Sequence, residues 1–280
     1  MYNQFYGFKE SPFNLTPNSR FFFASHKHTE ALDSLVYAID QRKGFVVITG
    51  EIGSGKTTVC RTLLSRLDRH TQVALITNTH LNSKDLLSMV LEDLEIEFTH
   101  GSTKSKLLSQ LNSYLIDQIK QDNNVVLIID EAQNLKPAVL EEIRMLSNLE
   151  TETEKLIQII LLGQPELKQK LALPRLEQLR QRVAVYFHLT PLTGIETKEY
   201  VLHRLKIASD SDHQYMTEEA LELVYKFSKG VPRLINQICD NAFLTGYVSE
   251  NRVIDGRILM EVIEEAPNQQ FGQEKAKEYV

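Results

Sequence analysis

The chain has 280 residues, room for two domains at about 100–200 residues each, and 42% of them are hydrophobic, enough to bury a sizeable core. A net charge of −6 argues against a large nucleic-acid footprint, though not against a local basic patch. No apolar stretch approaches the ~18–20 residues of a membrane span. The N-terminus lacks the basic start and apolar run of a signal peptide. The two cysteines, Cys60 and Cys239, sit in helical apolar patterns and make no disulfide framework. These features favour the cytoplasm.

Residues 1–30 are rich in aromatics and turns, with Tyr6, Phe8, Phe13, Phe21, Phe22 and Phe23 around Pro12 and Pro17. They read as an extended arm packed onto the body. His26, Lys27 and His28 read as a solvated turn before a helix, because a metal site needs more ligands than two histidines. Residues 29–40 carry apolar side chains at helical spacing. Strands are expected at 45–49, 73–77, 125–129, 156–162 and 183–188. The third of these is a continuous apolar run, as in a parallel strand covered on both faces. Helices are expected at 56–67, at 83–94 with Ser83 as N-cap, at 105–120, from Pro137 to about Leu149, and at 165–171 and 175–182. Strands alternating with helices make an α/β, doubly wound parallel sheet. The composition shifts near residues 191–194. Beyond it only helices are expected, at 195–208, 217–228, 231–246 and 255–264. The expected layout is a nucleotide-binding domain over 1–193 including the aromatic arm, a smaller all-helical lid over 194–266, and a polar tail over 267–280.

Residues 50–57 read Gly-Glu-Ile-Gly-Ser-Gly-Lys-Thr, the pattern G-x-x-x-x-G-K-T, between a strand and a helix. Gly50 and Gly55 let the backbone curl around phosphate, and Gly53 adds slack. The N–H groups of Glu51, Ile52, Ser54 and their neighbours point inward at the positive end of the following helix. Lys56 reaches the β- and γ-phosphates, Thr57 puts its hydroxyl on Mg²⁺, and Thr58 continues the helix start. The strand 125–129 ends in Asp130 and Glu131. At the tip of a central strand Asp130 holds Mg²⁺ through a water, and Glu131 polarises the attacking water as general base. Gln164 follows the next strand, where a polar side chain would sense the γ-phosphate or orient the water. Arg175, Arg180 and Arg182 precede the last strand, and one of them would project into a neighbour's site, because phosphoryl transfer gains most from an arginine aimed at the transferring group. Arg233 opens a lid helix behind Pro232 and would reach back over the γ-phosphate.

With these parts in order the chain resembles the AAA+ ATPases. Residues 50–57 are similar to Walker A, 125–131 to Walker B, Gln164 to sensor 1, Arg182 to an arginine finger and Arg233 to sensor 2. The segments Tyr6-Gly-Phe8, Pro12-Phe13, Phe21-Phe-Phe23, Asp130-Glu-Ala-Gln133, Leu146-Ser-Asn-Leu-Glu150, Leu161-Leu-Gly-Gln-Pro-Glu-Leu167 and Leu179-Arg-Gln-Arg182 resemble, more narrowly, the general secretion pathway protein A (ExeA-like) family. That resemblance covers roughly residues 1–265. It implies ATP as substrate, an adenine pocket near the arm, ATP-promoted self-association, and partners in pilus or secretion assembly at the inner membrane. Secretion-type members usually continue into a transmembrane helix and a peptidoglycan-binding domain. Their absence before Val280 leads one to expect the shorter MshM type of pilus biogenesis, peripheral to the membrane through a partner. Two other functions fit the motifs: a DNA-associated ATPase like the transposition helpers, which the net charge disfavours, and a nucleotide-dependent interaction switch, which the intact Glu131 disfavours.

Overall fold

A computed structural model describes residues 1–152, 154–209 and 213–265. The expected tail at 267–280 lies outside the described residues. The chain divides into two compact units, one built on residues 29–51 and 59–189, the other on residues 1–28, 52–58 and 190 onward.

The first unit holds β1 (Phe45–Gly50), β2 (Thr71–Ile76), β3 (Asn124–Ile129), β4 (Gln158–Gly163) and β5 (Val185–Leu189). They form one sheet in the order β2-β3-β4-β1-β5, and every pairing is parallel. All six residues of β1 and of β4 are buried, whereas the edge strands β2 and β5 are only partly covered. This is why the central strands are nearly continuous in apolar residues. The connections are α3 (Lys56–Arg66), α4 (Ser83–Asp93), α5 (Lys104–Lys120), α6 (Pro137–Leu146), α7 (Pro165–Leu171) and α8 (Glu177–Arg180), with α2 (His26–Asp40) leading into β1. Leu86, Leu87, Val90 and Leu91 of α4 and Leu107, Leu111 and Leu115 of α5 bury their helical stripes in the same core as β3 and β4. Each such side chain contributes about 1.5–3 kcal/mol. Register brings Thr49 beside Gly163 and Ile129 beside Leu161, so the chain leaves β1, β4 and β3 along one shared carboxyl edge.

Boundaries differ from expectation where capping overrides periodicity. The N-cap of α4 is Asn82, not Ser83: its side chain accepts from Lys84 and Asp85 N, and Asp85 returns the bond to Asn82 N. The helix expected to reach residue 149 stops at Leu146, where the Ser147 hydroxyl donates back to Arg144 O at 2.6 Å.

The second unit holds α1 (Tyr2–Tyr6), α9 (Gly194–Ser209), α10 (Glu218–Ser228), α11 (Pro232–Val248) and α12 (Gly256–Glu265). The aromatic arm is part of this unit's core. Tyr6, Phe8, Phe13 and Phe21 are buried with Tyr200, Phe243 and Ile235. Rings pack at centroid distances of 4.9 Å for Tyr6–Phe243 and 5.8 Å for Phe13–Phe243. Buried Arg204 fastens the arm, donating through Nε to Pro12 O at 2.5 Å and lying over the Phe21 ring. The arm therefore groups with the helices rather than with the sheet, and the unit boundary falls after Leu189 rather than 193. The arm is also not wholly extended, since α1 forms its first turn.

Candidate phosphate-binding site

The loop begins where β1 ends, at Gly50. Gly53 and Gly55 take φ of 77° and 100°, in the left-handed region that side chains avoid. Both glycines are also needed for space. A Cβ on Gly53 would come within 2.5 Å of Arg233 Cβ, and one on Gly55 within 2.6 Å of His28 Nε2. Lys56 is 6% exposed and opens α3, so the first amides of an 11-residue helix face out at the end of the loop. Ser54 is fully buried, and its hydroxyl has no hydrogen-bond partner among the described residues. A loop with a bare hydroxyl and glycines kept free of side chains fits an anion with several oxygens.

Two groups hold the loop's carbonyls. Arg233 N, at the start of α11, donates to Gly53 O at 3.2 Å. The Arg233 stem lies over Gly53 and the residue is exposed. The second group corrects a reading of the sequence. Residues 26–28 are not a solvated turn: α2 already starts at His26, and His28 is buried at 5% exposure. Its Nε2 lies 3.0 Å from Ser54 O and its Nδ1 2.7 Å from Ser25 Oγ. A carbonyl only accepts, so Nε2 carries the proton and Nδ1 accepts from the Ser25 hydroxyl. Burial lowers the His28 pKa, against the Ser54 bond and the Glu196 charge, which raise it. No group of three or more metal-binding side chains occurs among the described residues.

On the sheet unit, Asp130 and Glu131 follow β3. Asp130 is 8% exposed and its Oδ1 accepts from Glu131 N at 2.9 Å. Glu131 adopts φ 53° and ψ 35°, left-handed in a residue with a side chain. Its Oε2 accepts two amides, from Gln133 Nε2 at 2.6 Å and from Gln164 Nε2 at 3.2 Å. Gln133 Oε1 in turn accepts from Gln164 N at 3.0 Å. Gln133 thus spans from the tip of β3 to the tip of β4. Gly163 makes room for it, since a Cβ there would stand 3.0 Å from Gln133 Oε1. Lys170 of α7 fastens the turn, donating to Gln133 O and, at 2.9 Å, to Leu135 O. The Cys60 thiol is pushed up to about 12 by burial and by the Asp130 charge; it is a neutral filler, not a nucleophile.

The structure thus sets Gly50, Asp130, Glu131 and Gln164 along one edge of the sheet. Arg182 lies at the other. Ala184 N bonds to Phe45 O, at the opposite end of β1 from Gly50, so a strand length of about 16 Å separates the two. Arg182 directs its guanidinium to Ser147 O and Oγ at 3.5 and 3.4 Å, while Arg175 and Arg180 are exposed. Gln133, Lys170 and His28 were not singled out as site residues. Only Gln133 had a signal, its place in the Asp130-Glu-Ala-Gln133 run.

Residues 39–171 match the AAA domain family. The chain is 38% identical over 265 residues to general secretion pathway protein A of Aeromonas hydrophila, covering 94% of this chain and 48% of that protein. It therefore spans about half the length of this curated relative. Among solved structures it is similar to the Aeropyrum pernix ORC2 protein in ADPNP–ADP complexes, with TM-score 0.70 and 15% identity over 92% of this chain and 72% of that one. It is also similar to Cdc6p of Pyrobaculum aerophilum, with TM-score 0.68 and 17% identity over 94% and 70%. The Thermotoga maritima RuvB Holliday junction branch migration motor matches with TM-score 0.60 and 18% identity over 90% and 73%. At these identities the three structures share the fold. No helix among the described residues is long and apolar enough to cross a membrane.

Proposed function

Because the chain is a AAA+ protein similar to general secretion pathway protein A, we propose that it binds ATP with Mg²⁺, hydrolyses it, and uses the cycle to assist assembly of a type IV pilus or type II secretion machine. The observation that carries this reading is a G-x-x-x-x-G-K-T loop leaving β1 at the same sheet edge at which Asp130 and Glu131 follow β3, with β4 between the two strands. Residues 50–58 would cradle the phosphates through backbone N–H groups, with Lys56 as the countercharge. Thr57 and Asp130 would hold Mg²⁺, whose charge offsets that of the phosphates when it is bound. Glu131 would take the proton of the attacking water through whichever carboxylate oxygen is not engaged by the amides of Gln133 and Gln164. Gln164 would orient that water, Arg233 would report lid position to the nucleotide, and Arg182 or Arg180 would act on a neighbour's phosphates. The protein would work in the cytoplasm, reaching the inner membrane through a partner.

Two variants test the reading. Lys56→Ala should lose MgATP binding in isothermal titration while keeping its circular dichroism spectrum. Glu131→Gln should bind MgATP and hydrolyse it at least ~100-fold more slowly, the usual scale for a lost general base. Wild-type affinity in the first or wild-type turnover in the second overturns the assignment of that residue.

A further inference from the structure

We propose that His28 is a positioning residue for the phosphate loop, aiming the Gly55 N–H at the nucleotide by holding the carbonyl on the other side of the same peptide bond. The inference rests on the reading of residues 50–57 as a nucleotide site. A trans peptide is planar, and its C=O and N–H point in opposite directions. Fixing Ser54 O toward His28 therefore fixes Gly55 N–H away from it. The 3.0 Å bond from Nε2 to Ser54 O does this. Gly55 sits at φ 100° and can rotate widely, so its N–H has no preferred direction of its own. The Arg233 N bond to Gly53 O holds the preceding peptide, whose N–H is that of Ser54.

Several features set His28 apart from a core histidine that has merely found partners. The Ser54 carbonyl, which only accepts, selects the tautomer that donates from Nε2, and the Ser25 hydroxyl completes it by donating to Nδ1. Gly55 has no Cβ where one would strike Nε2 at 2.6 Å, so loop and ring are fitted to each other. Burial keeps the ring neutral, so it adds a dipole and not a second cation beside Lys56. The residue belongs to the start of α2, outside the loop motif, so a loop pattern alone would not reveal it.

The test compares wild type, His28→Leu, His28→Gln and Ser25→Ala by titration with a fluorescent ADP analogue and Mg²⁺, with a thermal melt of each. Leucine keeps the bulk and loses the donor, and ADP affinity should fall about 10-fold, the worth of one hydrogen bond to a buried acceptor. Glutamine, which can donate from its amide, should recover part of the loss. Ser25→Ala, which removes the Nδ1 partner together with the weaker bond from His28 N to Ser25 Oγ, should cost about 3-fold, and it decides the matter if His28→Leu does not fold. The nitrogen spectrum of the apo wild type should show a neutral ring protonated at Nε2. Wild-type affinity in both His28→Leu and Ser25→Ala overturns the proposal, as does a glutamine variant that folds yet binds no better than leucine. Should Lys56→Ala also bind ADP normally, it is the nucleotide-site reading that has failed.

Discussion

Gln133 is the most heavily used side chain at the sheet edge. Its amide donates to Glu131, its carbonyl accepts from Gln164 N, and its own backbone oxygen takes Lys170. A side chain tied at both ends loses little further entropy when the site is filled, so it can hold Glu131 in one orientation through a catalytic cycle. Gln133→Met, of similar length but without the amide, should lower kcat about 10-fold and leave the KM for ATP within about 2-fold. In a Glu131→Gln background the same change should add almost nothing, because both act through one carboxylate. An equal loss in both backgrounds would show that Gln133 acts elsewhere. The loop can be proposed from sequence because the roles assigned to its residues depend on type and spacing alone. The sequence does not make His28 legible, because the bonds that matter run from Ser25 and from Ser54, 26 positions away. Gln133 stood in a recognisable run, yet its double attachment depends on the register of β3 against β4, which no local pattern encodes.

At the level of elements, the strands and long helices followed from periodicity, and the misses are where tertiary packing decides. Residues 2–6 contain three aromatics and only one good helix former, Gln4, so little local announces α1. It forms because Tyr6 and its neighbours have Phe243 and Tyr215 to pack on. Gly230 is a similar case: a Cβ there would fall 1.8 Å from Leu192 O, and Leu192 N bonds to Gly230 O, a close approach that only the folded unit reveals. Since the arm is core and not decoration, Phe13→Ala should cost about 3–5 kcal/mol, the range for emptying a buried phenylalanine site. Urea unfolding measures this. A change under 0.5 kcal/mol, typical of a surface position, would show that the arm only rests on the helices.

At the scale of the whole molecule, Arg182 stands about a strand length from Gly50, and the proposal that it acts as a finger therefore assigns it to a phosphate held by another copy. Activity per chain should then rise with concentration, and ATP should promote oligomers in light scattering. Arg182→Ala should keep ATP affinity and lose turnover. Mixed with Lys56→Ala it should regain some, since one chain brings an intact loop and the other an intact arginine. Arg180 is exposed where Arg182 leans on Ser147, so Arg180→Ala belongs in the same series. Turnover independent of dilution, or no recovery in a mixture shown to co-assemble, would place all catalytic groups in one chain. The change from alternating strands and helices to helices alone is visible in the sequence near residues 191–194. The allegiance of the arm is not, because it joins residues 1–28 to a partner about 190 positions later.

Glu131 stands in a backbone conformation that glycine enters freely and that costs a residue with a side chain about 1–2 kcal/mol. Heat, applied as the sole judge of variants, would therefore favour glycine at this position and, on the proposed role of Glu131, return a sturdier protein without its base. If that role holds, endurance and labour pull in opposite directions at a single residue, and a lineage bred only for the first would discard the second without any visible change of fold.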